Sequence, residues 1–78
     1  MFGASWCAPC KATLPHAMSA ATDADIVFEY VNVEDSYDSR ANDVTAVPLL
    51  RVYSDDGEVL TEHRGGATKA QLRALIGG

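Results

Sequence analysis

No stretch of this 78-residue chain comes near the ~20 consecutive apolar residues that a membrane-spanning helix needs. The opening Met1-Phe2-Gly3-Ala4 is too short for a secretory leader and lacks its basic flank. A cytoplasmic location is the expectation that follows. Basic side chains are scarce too: six Lys and Arg stand against eleven Asp and Glu, for a net charge of −5, and they are scattered. Gripping a phosphate backbone needs clustered cations, so nucleic-acid binding is excluded. There is no internal repeat, linker or low-complexity segment, and the length allows one domain, residues 1–78, burying about 60% of the surface its unfolded chain would expose.

Cysteine is nearly absent as well, and its placement carries the first positive signal. The only two cysteines lie in Trp6-Cys7-Ala8-Pro9-Cys10-Lys11, two residues apart, after a short apolar run and before a helix-like segment. As a structural staple the pair would be weak, because so small a loop contributes at most roughly 2 kcal/mol by chain entropy. In a reducing compartment a close pair is instead redox-active or metal-binding. Cys7 is placed where a strand turns into a helix, near unpaired amides that favour thiolate over thiol, and its side chain is expected to be exposed. Such sites bring the thiol pKa down from about 8.5 into the range of roughly 3.5 to 7.5. Cys7 is therefore the candidate nucleophile. Cys10, one turn further in, is the candidate resolving thiol.

Along the chain, Met1 to Ser5 predicts a short central strand kept slim by Gly3 and Ala4. Ala8 to about Ala21 predicts an amphipathic helix with Leu14, Ala17, Met18 and Ala21 on its buried face. Pro9 falls in its first turn, where a missing amide does no harm, whereas Pro15 falls inside, where it removes a backbone hydrogen bond. Ile26 to Val33 is rich in β-branched and aromatic residues and predicts a strand, parallel to the first because a helix separates them. Between Asp35 and Val44 there is room for a short helix of about two turns. Val47 to Tyr53 and Glu58 to Arg64 predict a hairpin around Ser54-Asp55-Asp56-Gly57. After Gly65-Gly66, Thr68 and Gln71 make a capping-box pattern for a last helix with Leu72, Leu75 and Ile76 inward, ended by Gly77-Gly78.

This order of elements around a Cys-x-x-Cys resembles the thioredoxin superfamily in its smallest, glutaredoxin-like form. The likeness covers the whole chain and rests on Trp6 to Lys11, Pro15, Val47-Pro48, Gly57, Gly65 and Thr68-Lys69. The resemblance implies an α/β fold, a minimal β-α-β-α-β-β-α with a four-stranded mixed sheet and a short middle helix. It implies a thiol-disulfide oxidoreductase that reduces protein disulfides, with Cys7 attacking and Cys10 resolving, and needs no cofactor of its own. It further implies a cis bond before Pro48, with Val47 offering backbone groups to an extended partner, Gly65 completing that surface, and Trp6 as an aromatic lip rather than a core residue. Lys11 is read either as an aid to the thiolate or as a solvated helix charge.

Departures are equally specific. The buried acid of thioredoxins would align with Met1 and its lysine companion with Tyr30, so neither is present; Leu49 stands where threonine is usual after the proline. The first strand and helix of thioredoxins are absent, which leaves Ile26 to Val33 as an open edge guarded by Glu29 and Asn32. So short a middle helix is expected to leave an apolar patch on one sheet face, for a partner or a weak dimer of an otherwise monomeric protein. Within redox chemistry, a glutaredoxin-like protein or a dedicated electron donor to a reductase is the alternative, recycled by a reductase or by glutathione. A zinc set of Cys7, Cys10, His16 and His63 lacks finger or ribbon spacing, and intact cysteines argue against a non-enzymatic binding module.

Overall fold

A computed structural model describes residues 1–34 and 38–77 of the chain. The elements run β1 (Phe2–Gly3), α1 (Ala8–Asp23), β2 (Val31–Asn32), a 3-10 turn (Ser39–Ala41), β3 (Leu49–Tyr53), β4 (Val59–Arg64) and α2 (Lys69–Gly77). One mixed sheet holds the strands in the order β2-β1-β3-β4, with β1 interior, β2 parallel to it and β3 antiparallel. The expected β-α-β-α-β-β-α order is present. Its middle helix is a single 3-10 turn; the Asp35 to Tyr37 part of the expected helix, and Gly78 after α2, lie outside the described residues.

Local chemistry sets the boundaries. The β3–β4 turn closes because Gly57 takes φ 85°, a left-handed angle that glycine adopts without steric cost, while Ser54 accepts the Gly57 N–H at 2.9 Å and its Oγ accepts the Glu58 N–H at 3.1 Å. At the start of α2, the Thr68 hydroxyl accepts the Gln71 N–H at 3.3 Å and the Gln71 side chain accepts the Thr68 N–H at 2.9 Å, a reciprocal capping box. α1 presents Cys10, Thr13, Ala17, Ala20 and Ala21 as its buried face. Those small side chains let it lie close to the sheet and to α2, where Leu72 is buried and Leu75 and Ile76 pack against the same core as Leu50. Met18, expected on that face, is half exposed, because the buried stripe turns toward Thr13 and Ala20 instead.

The largest departure from the sequence expectation is the second strand. Only Val31–Asn32 of the Ile26 to Val33 run is a strand, since pairing requires a partner and β1 supplies only Met1 to Gly3. The Val31 N–H donates to the Met1 carbonyl at 2.8 Å, the Val33 N–H to the Gly3 carbonyl at 2.9 Å, and the Met1 amine to the Glu29 carbonyl at 2.7 Å. Upstream, the Ile26 N–H closes the end of α1 on the Ala21 carbonyl at 3.0 Å. For the same reason the first strand is the pair Phe2–Gly3 rather than Met1 to Ser5. Gly3 does allow a close approach: a Cβ there would lie 3.0 Å from Cε2 of Tyr30.

The sheet face away from the helices does not show the expected apolar patch among the described residues. Phe2 and Leu49 are buried there, with the Arg51 guanidinium 5.5 Å over the Phe2 ring. That guanidinium also pairs with Asp43 at 2.6 Å and Glu62 at 3.0 Å, which keeps it charged against its burial. Arg40 covers Tyr53 at 5.7 Å and pairs with Glu29 at 2.7 Å and with Asp38. Two arginine stems thus cover the Phe2 and Tyr53 rings on that face.

Candidate active site

Cys7 is the N-cap of α1, with extended backbone angles (φ −90°, ψ 104°) that let the chain turn from β1 into the helix. Its N–H donates to the Ala4 carbonyl at 3.1 Å, and its carbonyl accepts the Lys11 N–H at 3.3 Å. The Cys7 Sγ accepts the Cys10 N–H at 3.2 Å, one of the first-turn amides that have no partner within the helix. Pro9 occupies the first turn, where its fixed φ suits the helix. Cys7 and Cys10 are joined as a disulfide, Cα to Cα 5.2 Å. Cys7 is not exposed as expected. At 4% exposure, against 1% for Cys10, it packs into the core, because in the disulfide its sulfur turns toward Cys10.

Both cysteines belong to one buried cluster with Met1, Ala4, Ala17, Ala20, Leu50 and Leu72, and Val47 packs against it. Met1 therefore puts an uncharged thioether side chain into the core that holds the dithiol. The Val47-Pro48 bond is cis, and the Pro48 carbonyl accepts the Gly65 N–H at 2.9 Å. Gly65 has φ 91°, which a side-chain-bearing residue adopts only with strain. The loop then passes so close to α1 that a Cβ on Gly66 would stand 3.3 Å from Thr13 Oγ1 and 4.0 Å from Pro9 Cβ. Cys7, Cys10, Pro48 and Gly65 are thereby drawn toward one end of the sheet, the end at which α1 begins. Trp6 is 69% exposed beside them, a position that a core aromatic would not occupy. Lys11 is exposed on α1.

Two contributors escaped the sequence reading. Thr13, buried at 2% exposure, accepts the Ala67 N–H at 3.3 Å and ties α1 to the Gly65-Gly66 loop. A polar residue three positions after Cys10 on an alanine-lined face was the available signal, since a buried hydroxyl needs a partner. Glu34 holds the loop before Trp6: Ser5 donates to its carboxylate from N–H at 2.9 Å and from the hydroxyl at 2.8 Å, and those bonds hold the carboxyl below its ordinary pKa. That link spans 29 residues and leaves no trace in local pattern. His16 is exposed on α1, and His63 Nε2 lies 3.2 Å from the Gly66 carbonyl. Among the described residues no three His, Cys, Asp or Glu side chains gather as a metal-ligand set.

A disulfide-capped helix start, in a small mixed sheet beside a cis-proline turn, defines an α/β protein built for dithiol–disulfide exchange. The thioredoxin family profile matches residues 1–77, and the chain belongs to that family. It is 32% identical over 77 residues to thioredoxin of Geodia cydonium, covering 96% of this chain and 72% of that protein. To thioredoxin of Mycoplasma genitalium it is 39% identical over 59 residues, 73% of this chain and 58% of the relative; to that of Gallus gallus, 32% over 77 residues, covering 96% and 71%. The activity of the class is thiol–disulfide oxidoreduction, acting as a disulfide reductase on protein disulfides through the Cys7–Cys10 pair.

Proposed function

We propose that Cys7 is the attacking thiol and Cys10 the resolving one. On reduction the Cys7 sulfur remains at the N-terminus of α1, where first-turn amides and the helix dipole favour its thiolate. That thiolate attacks one sulfur of a partner disulfide, forming a mixed disulfide and releasing the other partner sulfur as a thiolate, which takes up a proton. Cys10 then attacks the Cys7 sulfur, the mixed bond breaks, the partner leaves fully reduced, and the chain is left as the Cys7–Cys10 disulfide. Regeneration takes two electrons and two protons from a dithiol reductase or from glutathione. The observation that carries these roles is the Cys10 N–H held on the Cys7 Sγ at 3.2 Å, which marks Cys7 as the cap and Cys10 as the residue inside the helix.

The partner polypeptide is held extended across Trp6, Val47, Pro48 and Gly65, with Trp6 as the lip. In support, Trp6 is exposed, Pro48 and Gly65 share a hydrogen bond, and backbone pairing suits a range of partner sequences. The chain works as one domain over residues 1–78, in the cytoplasm, as a monomer or weak dimer. No helix among the described residues is long and apolar enough to cross a membrane. A general reductase is favoured over a glutaredoxin-like protein or a dedicated donor by the exposed Trp6 and by Pro9 in the motif. Reduction of insulin with thioredoxin reductase or glutathione supplied separately tests this: turnover with the reductase alone is expected. Turnover with glutathione alone would assign the glutaredoxin-like reading.

A further inference from the structure

The open side of β4 carries a charge pattern that matches itself. β4 stands last in the sheet order β2-β1-β3-β4, so among the described residues no strand pairs with its outer side. Which residues face that side follows from the ladder. The Gly65 N–H donates to the Pro48 carbonyl at 2.9 Å, and Gly65 opposite Pro48 continues the register of Arg64 with Leu49 and of His63 with Leu50. Hydrogen-bonded and non-hydrogen-bonded pairs alternate along an antiparallel ladder, so His63 and Thr61 direct their backbone groups to β3 while Glu62 and Arg64 direct theirs outward. Being two apart, Glu62 and Arg64 also share one face of the sheet. The Arg64 side chain is 82% exposed and meets one Glu62 oxygen of its own strand only at 3.4 Å, whereas Arg51 holds the other oxygen at 3.0 Å.

We propose that this edge is an interface for a second copy of the chain, two β4 strands pairing antiparallel about a two-fold axis between their His63 residues. Charges on an edge strand ordinarily keep other strands away, and they do so when like meets like. Only the outward-facing residues can exchange hydrogen bonds across the edge, so a symmetric pairing sets Glu62 opposite Glu62, Arg64 opposite Arg64, or Glu62 opposite Arg64 in both directions. The first two place like charges directly opposite each other and are destabilised; the last places opposite charges at both hydrogen-bonded pairs. In that register each Arg64 reaches the Glu62 oxygen of the other copy that Arg51 does not hold. Leu60, 63% exposed, comes to lie beside the glycines at positions 65 and 66 of the other copy, where no side chain obstructs it.

The test is sedimentation equilibrium of the oxidised chain over a concentration series at physiological ionic strength, where repulsion between two chains of net charge −5 is screened beyond about 8 Å. A monomer–dimer equilibrium is expected, with concentration-dependent amide shifts confined to residues 60–66. Arg64→Glu, at an exposed position, should fold as the parent does and weaken the dimer about tenfold, since two symmetry-related pairs turn from attraction to repulsion. Arg73→Glu, exposed on α2 and equal in its change of net charge, should dimerise as the parent does. Glu62→Lys should weaken the dimer as Arg64→Glu does. Mixed in equal amounts, those two variants should associate as tightly as the parent, because the new lysine of one faces the new glutamate of the other while the retained Arg64 faces the retained Glu62. Comparison of Arg64→Glu with Arg73→Glu decides the matter even where Glu62→Lys, which also loses its bond to Arg51, does not fold. A chain monomeric throughout the series would leave the edge to solvent or to an unlike partner and overturn the proposal. So would shifts at Val31 and Asn32 instead, equal weakening by Arg73→Glu, or folded variants that fail to associate on mixing.

Discussion

The two halves of the sheet are held by different means. β3 and β4 share five registered residue pairs and a hydrogen-bonded turn, whereas β1 and β2 share two pairs. The β3–β4 half is specified locally, by alternating side chains and a glycine turn. The β1–β2 half depends on what lies over it: Ala4 and Met1 in the core with Leu50 and Leu72, and Arg51 above Phe2. The candidate site draws on both halves, since Cys7 follows β1 while Pro48 and Gly65 flank β3 and β4. The candidate site therefore rests on a few long-range contacts in the β1–β2 half and on a longer ladder in the β3–β4 half.

The sharpest way to break that comparison is to remove volume from each half. Leu50→Ala, in the shared core, should cost about 2–5 kcal/mol in denaturant unfolding, while Val31→Ala, half-buried in the two-pair ladder, should cost about 1 kcal/mol. Equal losses would contradict the unequal anchoring. Next in size is the pH response of the β1 terminus. The Met1 amine, ordinarily near 8.0, is brought down to about 6 by burial, so the folded state holds that proton less tightly than the unfolded state. Below pH 6 both states carry the proton and the burial penalty is present in full. Stability should rise by about 2–3 kcal/mol as pH goes from 6 to 8, and amino-terminal acetylation should flatten the rise.

A smaller loss tests the tie between the halves at the site. Thr13→Val leaves the half-buried Ala67 N–H without its acceptor and should cost about 1 kcal/mol, with faster hydrogen exchange at Ala67 and Gly66. Smallest is Thr68→Ala, which removes the α2 cap for about 1 kcal/mol and should leave disulfide reduction unchanged. A redox defect from that variant would mean that α2 does more than close the core.

What could be foreseen from sequence divides along the same line. Pro9 at a helix start, Thr68 with Gln71, Asp56-Gly57 in a turn and the hairpin strands are short-range signals, and the structure carries each of them. Ile26 to Tyr30 has the composition of a strand but no ladder, because propensity describes a residue and pairing requires a neighbour. Arg51 interrupts an apolar strand, yet its side chain is nearly buried, since Asp43, Glu62 and the Phe2 ring converge on it from distant positions. The Ser5–Glu34 clamp and the burial of Cys7 are likewise products of the fold. The dithiol motif was plain from residue types alone; its supports were not.

Trapping decides the central claim, that Cys7 attacks and Cys10 resolves. Cys7→Ser and Cys10→Ser, each reduced and mixed with a disulfide-bearing protein, would be separated on a non-reducing gel and the mixed disulfide identified by mass. A stable covalent adduct through Cys7 is expected in Cys10→Ser and none in Cys7→Ser. An adduct through Cys10 in Cys7→Ser, with none in Cys10→Ser, would contradict it.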